Sequence, residues 1–206
     1  MILKRNYLWI ALFGSLIGLS ETLIGSAKIP YSSVVLSAIT LVLLSVARYY
    51  FPKKGTSMLI IIIAILFKIN SFGIQCCTTQ FLLCGPTALL LLGISYEVFA
   101  SLFISKTTSR YTGNILTCGL TSILAFAIFA IIQTYILKSW DNARLVNYTF
   151  VRGSLTALAS GSITTLGLYL AQRFGNFSFT RLNPYVLSGI LGALIIAFWF
   201  LGVYSG

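Results

Sequence analysis

Long apolar stretches alternate with short polar breaks along this chain, and seven of the stretches read as helices that cross a membrane: 7–27, 31–51, 57–74, 86–105, 114–137, 153–172 and 185–204. About 20 apolar residues at a 1.5 Å rise span the ~30 Å hydrocarbon core of a bilayer. The breaks are "KIP" at 28–30, "FPKKGTS" at 51–57, "CGP" at 84–86, "KTTSRYTGN" at 106–114 and "NP" at 183–184. Proline and glycine punctuate helices in this way. The sixth stretch, "GSLTALASGSITTLGLYLAQ", carries so many hydroxyls that six spans is the alternative count. Lys4 and Arg5 precede the first stretch, which is too long for a cleaved leader and is expected to remain as a helix.

Composition sharpens the class. Hydrophobic residues make up 58% of the 206 and charged residues only 8%. A soluble domain of this size needs a charged skin that this chain lacks. The expectation is an all-α polytopic integral membrane bundle, one domain over residues 1–206, with no soluble catalytic module. The formal net charge is +11. Lys4, Arg5, Arg48, Lys53, Lys54, Lys106, Arg110, Arg173 and Arg181 fall on one side of the predicted topology. Lys28, Lys138, Arg144 and Arg152 fall on the other. Cytoplasmic loops carry the basic excess, so the N-terminus is expected in the cytoplasm. The basic residues thus read as a topology signal and as contacts to lipid headgroups, not as a nucleic-acid site. The expected location is a bacterial plasma membrane.

Three ionisable groups lie inside the predicted spans. Lys68 sits in "SMLIIIIAILFKINSFGI", roughly 16 Å from the cytoplasmic edge, too deep for its ammonium to reach the interface. Glu21 on the first helix and Glu97 on the fourth lie at about 21 Å and 13 Å by the same reckoning. A buried ammonium costs several kcal/mol unless a counter-charge meets it. Both glutamates are therefore expected beside Lys68. The trio leaves one formal negative charge, which suits an amine-bearing ligand or a carboxyl that keeps its proton. Polar neighbours continue the stripe: Asn70 and Gln75 near Lys68, and Gly93 and Ser101 flanking Glu97. On the first helix Gly14, Gly18, Glu21 and Gly25 share a face, and small residues at that spacing admit a second helix at close range. Glu21, Lys68, Asn70, Gln75 and Glu97 are the candidate substrate-binding residues. The same charges could instead lock helices in register without binding anything.

Cys76, Cys77 and Cys84 cluster in "QCCTTQFLLCGP". Their spacing and the absence of histidine argue against zinc. A disulfide between Cys84 and one of the vicinal pair and ordinary packing cysteines both remain open. Cys118 is expected too far from them to join. The longest connection, "KSWDNARLVNYTFVR" at 138–152, reads either as an interfacial segment with aromatics at headgroup level or as a lid over an outward-facing pocket.

No P-loop, dinucleotide fingerprint, HExxH or serine nucleophile elbow is present, and the chain has no histidine. No enzymatic activity and no cofactor or metal is expected. Four features resemble the substrate-binding S component of energy-coupling-factor vitamin importers. They are "ALFGSLIGLSETLIG", "ARYYFPKKGTS", "CGPTALLLLGISYEVF" and the lack of any ATPase. The resemblance implies a membrane subunit that binds a small micronutrient and borrows a transmembrane coupling subunit and an ATPase pair. It also implies that Ala11 with Ser15 and Gly14 with Gly18 meet the coupling subunit, and that the ligand sits toward the outer half. A seventh helix departs from the usual six of that family. Two other functions fit the residues: a proton-coupled secondary transporter or channel relaying through Glu21 and Glu97, and a structural or assembly protein.

Overall fold

The computed structural model describes residues 2–26, 31–72, 79–104, 110–175 and 184–205, with side chains for 7–24, 31–70, 85–104, 111–173 and 189–201. Among the described residues there is no strand. The helices are α1 (Ile2–Ser26), α2 (Ser32–Tyr50), α3 (Thr56–Phe72), α4 (Thr79–Phe99), α5 (Arg110–Ile131), α6 (Asn142–Val146), α7 (Gly153–Gly175) and α8 (Pro184–Ser205). Wider π-helical turns continue α4 at Ala100–Ile104, continue α5 at Ile132–Ile136, and join α6 to α7 at Asn147–Arg152. Among the described residues, five helical stretches are long and apolar enough to cross a membrane: Tyr7–Ile24, Ser32–Tyr50, Gly85–Ile104, Tyr111–Ile136 and Asn142–Arg173. α3 and α8 are apolar too, over Thr56–Asn70 and Gly189–Leu201 among the residues described with side chains.

The outside of the bundle is greasy and much of its inside is hydroxylic. Leu59, Ile62, Leu66 and Ile69 form an exposed stripe on α3, and Leu90, Ile94, Val98 and Leu102 form another on α4. Stripes of this kind leave no polar skin for water to wet, and hydrocarbon suits them. Between the helices, Thr40, Thr117 and Ser122 are buried and donate to carbonyls four residues earlier, on Leu36, Gly113 and Cys118. This back-bonding satisfies a hydroxyl without water.

The hydroxyl-rich sixth stretch is helical, and its composition has a packing reason. Thr156, Ser160 and Thr164 recur every fourth residue of α7 and are fully buried. Small side chains on that face let α7 lie close to α5 and α2, which are its main neighbours. One buried polar chain ties four helices. The Tyr96 hydroxyl donates to Ser45 Oγ at 3.2 Å, Ser45 meets Cys118 Sγ at 3.2 Å, and Cys118 meets Thr164 Oγ1 at 3.5 Å.

Two expected boundaries need correction. The break at 84–86 does not end a helix, because α4 begins at Thr79 and runs through Pro86. A proline inside a helix loses one backbone bond, and packed neighbours in a membrane bundle tolerate that loss. Helical structure also begins before 153, the expected start of the sixth span, within the connection 138–152. Asp141 accepts from the Arg144 amide at 2.9 Å and caps α6, so the chain is helical from Asn142 onward into α7.

The small-residue face of α1 is occupied within the chain. A Cβ on Gly14 would lie 2.7 Å from Ile63, and one on Gly18 would lie 2.7 Å from Phe67, so α3 rests directly on both. Ser15 is buried and accepts from Trp199 Nε1 of α8 at 3.1 Å. Ala11 is half-buried on the same helix. Gly14, Gly18 and Ser15, the positions expected to meet a coupling subunit, thus lie against α3 and α8 of the same chain.

Candidate functional site

The chain has three acidic residues, and each is engaged in a different place. Glu21 of α1 forms an ion pair with Lys68 of α3; their side chains are 12% and 10% exposed. Glu97 of α4 pairs with Arg48 of α2 at 3.1 Å. Asp141 caps α6. The expected trio is thus divided, and Glu97 is not beside Lys68. Gly85 touches the lysine, and Glu97 lies twelve residues further along α4, about 18 Å away along the helix axis.

The Arg48–Glu97 pair belongs to a turn. The Gly55 amide donates to Glu97 Oε1 at 2.8 Å, Thr56 Oγ1 donates to the Lys53 carbonyl at 2.9 Å, and Arg48 donates to that same carbonyl. Gly55 takes φ 84°, the left-handed region that glycine enters without a Cβ clash. This cluster fastens the α2–α3 connection to α4. Arg48→Met leaves Glu97 without its counter-charge and is expected to cost about 3 kcal/mol, measured as a lower unfolding midpoint of the purified protein.

Lys68 and Glu21 line a chamber of about 280 Å³ toward the opposite end of the bundle. Ser32, Ser33 and Ser37, from the first turns of α2, give one wall its hydroxyls. Phe126 and Phe129 of α5 give another wall its rings. Tyr148, from the π-helical turn after α6, lies at the rim. Its ring stacks on Phe126 at 5.0 Å and approaches Phe129 at 5.8 Å and Trp140 at 4.7 Å. The volume is at the small end of ligand cavities, which run from about 300 to 1,000 Å³. An ammonium, a carboxylate and hydroxyls facing aromatic rings are the ingredients of a site for a small, partly apolar molecule with polar edges.

Gly85 sets the position of the lysine. A Cβ there would overlap the Lys68 ammonium and lie 2.6 Å from its Cε. Only the far end of a flexible side chain is in the way, so Gly85→Ala is expected to cost about 1 kcal/mol in stability. Its larger effect is to swing the ammonium off Glu21. Lys68 should then label faster with a water-soluble amine-reactive ester, read by mass spectrometry of the modified peptide.

The other expected binding residues are placed as follows. Asn70 is exposed at the end of α3. Gln75, Cys76 and Cys77 lie outside the described residues, and so does the Cys84 side chain. Cys118 is a free, buried thiol in the polar chain between α2, α5 and α7. The serines of α2 and the phenylalanines of α5 were not expected at the site. The spacing of Ser33 and Ser37 in "YSSVVLS" was the available signal, since it puts two hydroxyls on one helical face at one end of a span. Phenylalanine in a greasy helix carries no such signal. No family model, curated protein or solved structure matches this chain.

Proposed function

We propose that this chain is the solute-binding part of a membrane importer. It takes a small polar-edged solute into the Lys68–Glu21 chamber from the side on which residues 138–152 lie. The observation that carries this reading is a buried ion pair that lines open space rather than packed core. A pair serving only to join helices needs no cavity beside it, and intramembrane charges mark solute or ion paths by default. The hydroxyl wall and the ring wall give such a solute both hydrogen bonds and apolar contact.

On this reading seven helices cross a bacterial plasma membrane, with α3, at 17 residues, near the lower length limit. The N-terminus is cytoplasmic, and the Arg48–Glu97 end faces inward. The chamber then opens outward, beneath the aromatic rim. The chain carries no ATPase motif, so uptake draws on a coupling subunit and ATPase pair, as in the energy-coupling-factor importers that its motifs resemble. That partner docks on a face other than the one Gly14 and Gly18 give to α3.

A thermal-shift screen of the purified protein in nanodiscs against small carboxylate- and amine-bearing micronutrients tests the proposal. A solute should raise the unfolding midpoint of the native chain and fail to raise that of Lys68→Met. A solute that stabilises both equally, or a full screen with no stabilising solute, would count against the chamber as a binding site.

A further inference from the structure

A second cavity, of about 690 Å³, lies outside the chamber rim. It is lined by Ser139, Trp140, Asp141, Arg144, Tyr148 and Arg152, among others. Two features set it apart from a headgroup-level cluster of aromatics. First, its arginines lack acidic partners. Glu21 and Glu97 are taken by Lys68 and Arg48, and neither guanidinium has a carboxylate within ion-pair distance among the described residues. Asp141 lines the same cavity and accepts from the Arg144 amide, so two guanidiniums stand against one carboxylate and the lining is net positive. Second, each guanidinium lies over a ring. Arg144 sits 4.8 Å from the Trp140 centroid and Arg152 sits 5.3 Å from the Tyr148 centroid. Stacking holds an arginine's plane while its edge N–H groups stay available.

Arg152 also joins the two cavities. It donates from Nη1 to Ser33 Oγ of the chamber wall at 3.2 Å, while its Nε is buried with no acceptor. A buried donor without a partner is costly, and an anion entering here would supply the acceptor. Tyr148 borders both spaces. The helical cap at Asp141 and the bonds from Ser139 to Gln133, 3.0 Å from its amide to the carbonyl and 2.7 Å from its hydroxyl to Oε1, hold the segment in place. The arginines are thereby preorganised.

We propose that this vestibule is a binding site for small organic anions that carry a flat ring, held by the edges of Arg144 and Arg152 with the ring against Trp140 and Tyr148. Charge-assisted bonds from guanidinium to carboxylate or phosphate are the strong class of hydrogen bond. The aromatic floor adds contact that an inorganic ion cannot use. The proposal does not require the chamber to transport anything.

The test uses the full chain labelled with 5-fluorotryptophan, in phosphatidylcholine nanodiscs, observed by fluorine NMR. Trp140→Phe assigns the Trp140 resonance. Titration with benzoate should shift that resonance in a saturable way, while benzamide, the neutral isostere, should not. Arg144 is exposed, so Arg144→Gln should fold and bind benzoate about tenfold more weakly, the loss of one charge-assisted contact. Arg152→Gln should do the same, and the double variant Glu21→Ala, Lys68→Met, which removes the chamber pair without stranding either charge, should leave the shift intact, which separates this site from the chamber. Equal shifts with benzamide, an unchanged affinity in Arg144→Gln, or no saturable shift would overturn the proposal. So would a Trp140 resonance that moves when phosphatidylglycerol is added to the nanodisc and then ignores benzoate, because the occupant would be a lipid headgroup.

Discussion

Glu21→Ala should lower stability by about 3 kcal/mol, on the order of 10 °C in the unfolding midpoint of a chain this size. The reason is asymmetric. With Glu21 present, the Lys68 ammonium meets a carboxylate, and both side chains are largely buried in the chamber wall. Without it, the same ammonium stays buried with no counter-charge, and removing one partner of such a pair is far worse than removing both. Lys68→Met should therefore rescue Glu21→Ala, returning the double variant to within about 1 kcal/mol of the native chain. Denaturation of the four proteins in one detergent supplies the full cycle. If the two single changes simply add, the pair contributes no coupling and the site loses its electrostatic basis.

Gly14→Val is the second large effect, because it attacks the α1–α3 contact beneath that pair. The Cβ would meet Ile63 at 2.7 Å and the Ile60 carbonyl at 2.8 Å, and a backbone oxygen cannot rotate away. Overpacking of this kind costs about 1–3 kcal/mol, and the upper end is expected where backbone must move. α1 would be pushed from α3, stretching Glu21 away from Lys68 seven residues later. Gly119→Val is the control, since a Cβ there would meet nothing within 4 Å. Its stability should change by no more than ~1 kcal/mol, the helix propensity difference between glycine and a branched residue being small. A Gly14→Val protein as stable as Gly119→Val would contradict the close α1–α3 packing.

The sequence made the helices and the Lys68–Glu21 match legible for a simple reason. A charge in a 17-residue apolar helix must find its opposite, and the chain offers three acids in all. It did not separate Glu21 from Glu97. Heights counted along isolated helices put each glutamate within about 5 Å of Lys68, and they ignore how a turn can fold back. The Gly55 turn brings an amide and Arg48 to Glu97 Oε1, so that charge finds its counter-charge locally. Pro86 misled for a related reason: as a breaker it reads as an end, but packing inside the bundle carries the helix through it. The small residues of α1 announced close approach without saying of what, and α3 of the same chain is the answer. The aromatic rim was legible only as one of two readings of residues 138–152, because placing Tyr148 over Phe126 depends on a helical cap and a π turn.

Site-directed accessibility at Ala88 tests most directly whether the ion pair borders a water-filled chamber open to one side. Ala88 lines that chamber on α4, while Leu90, two residues on, is exposed on the greasy stripe. In a cysteine-free background in sealed vesicles, Ala88→Cys should react with a charged, membrane-impermeant thiosulfonate. It should do so only from the side that also modifies Arg144→Cys, and Leu90→Cys should stay unmodified, because a thiol in hydrocarbon is not ionised. Reaction only from the side that modifies Lys54→Cys, or no reaction from either side, would contradict the account.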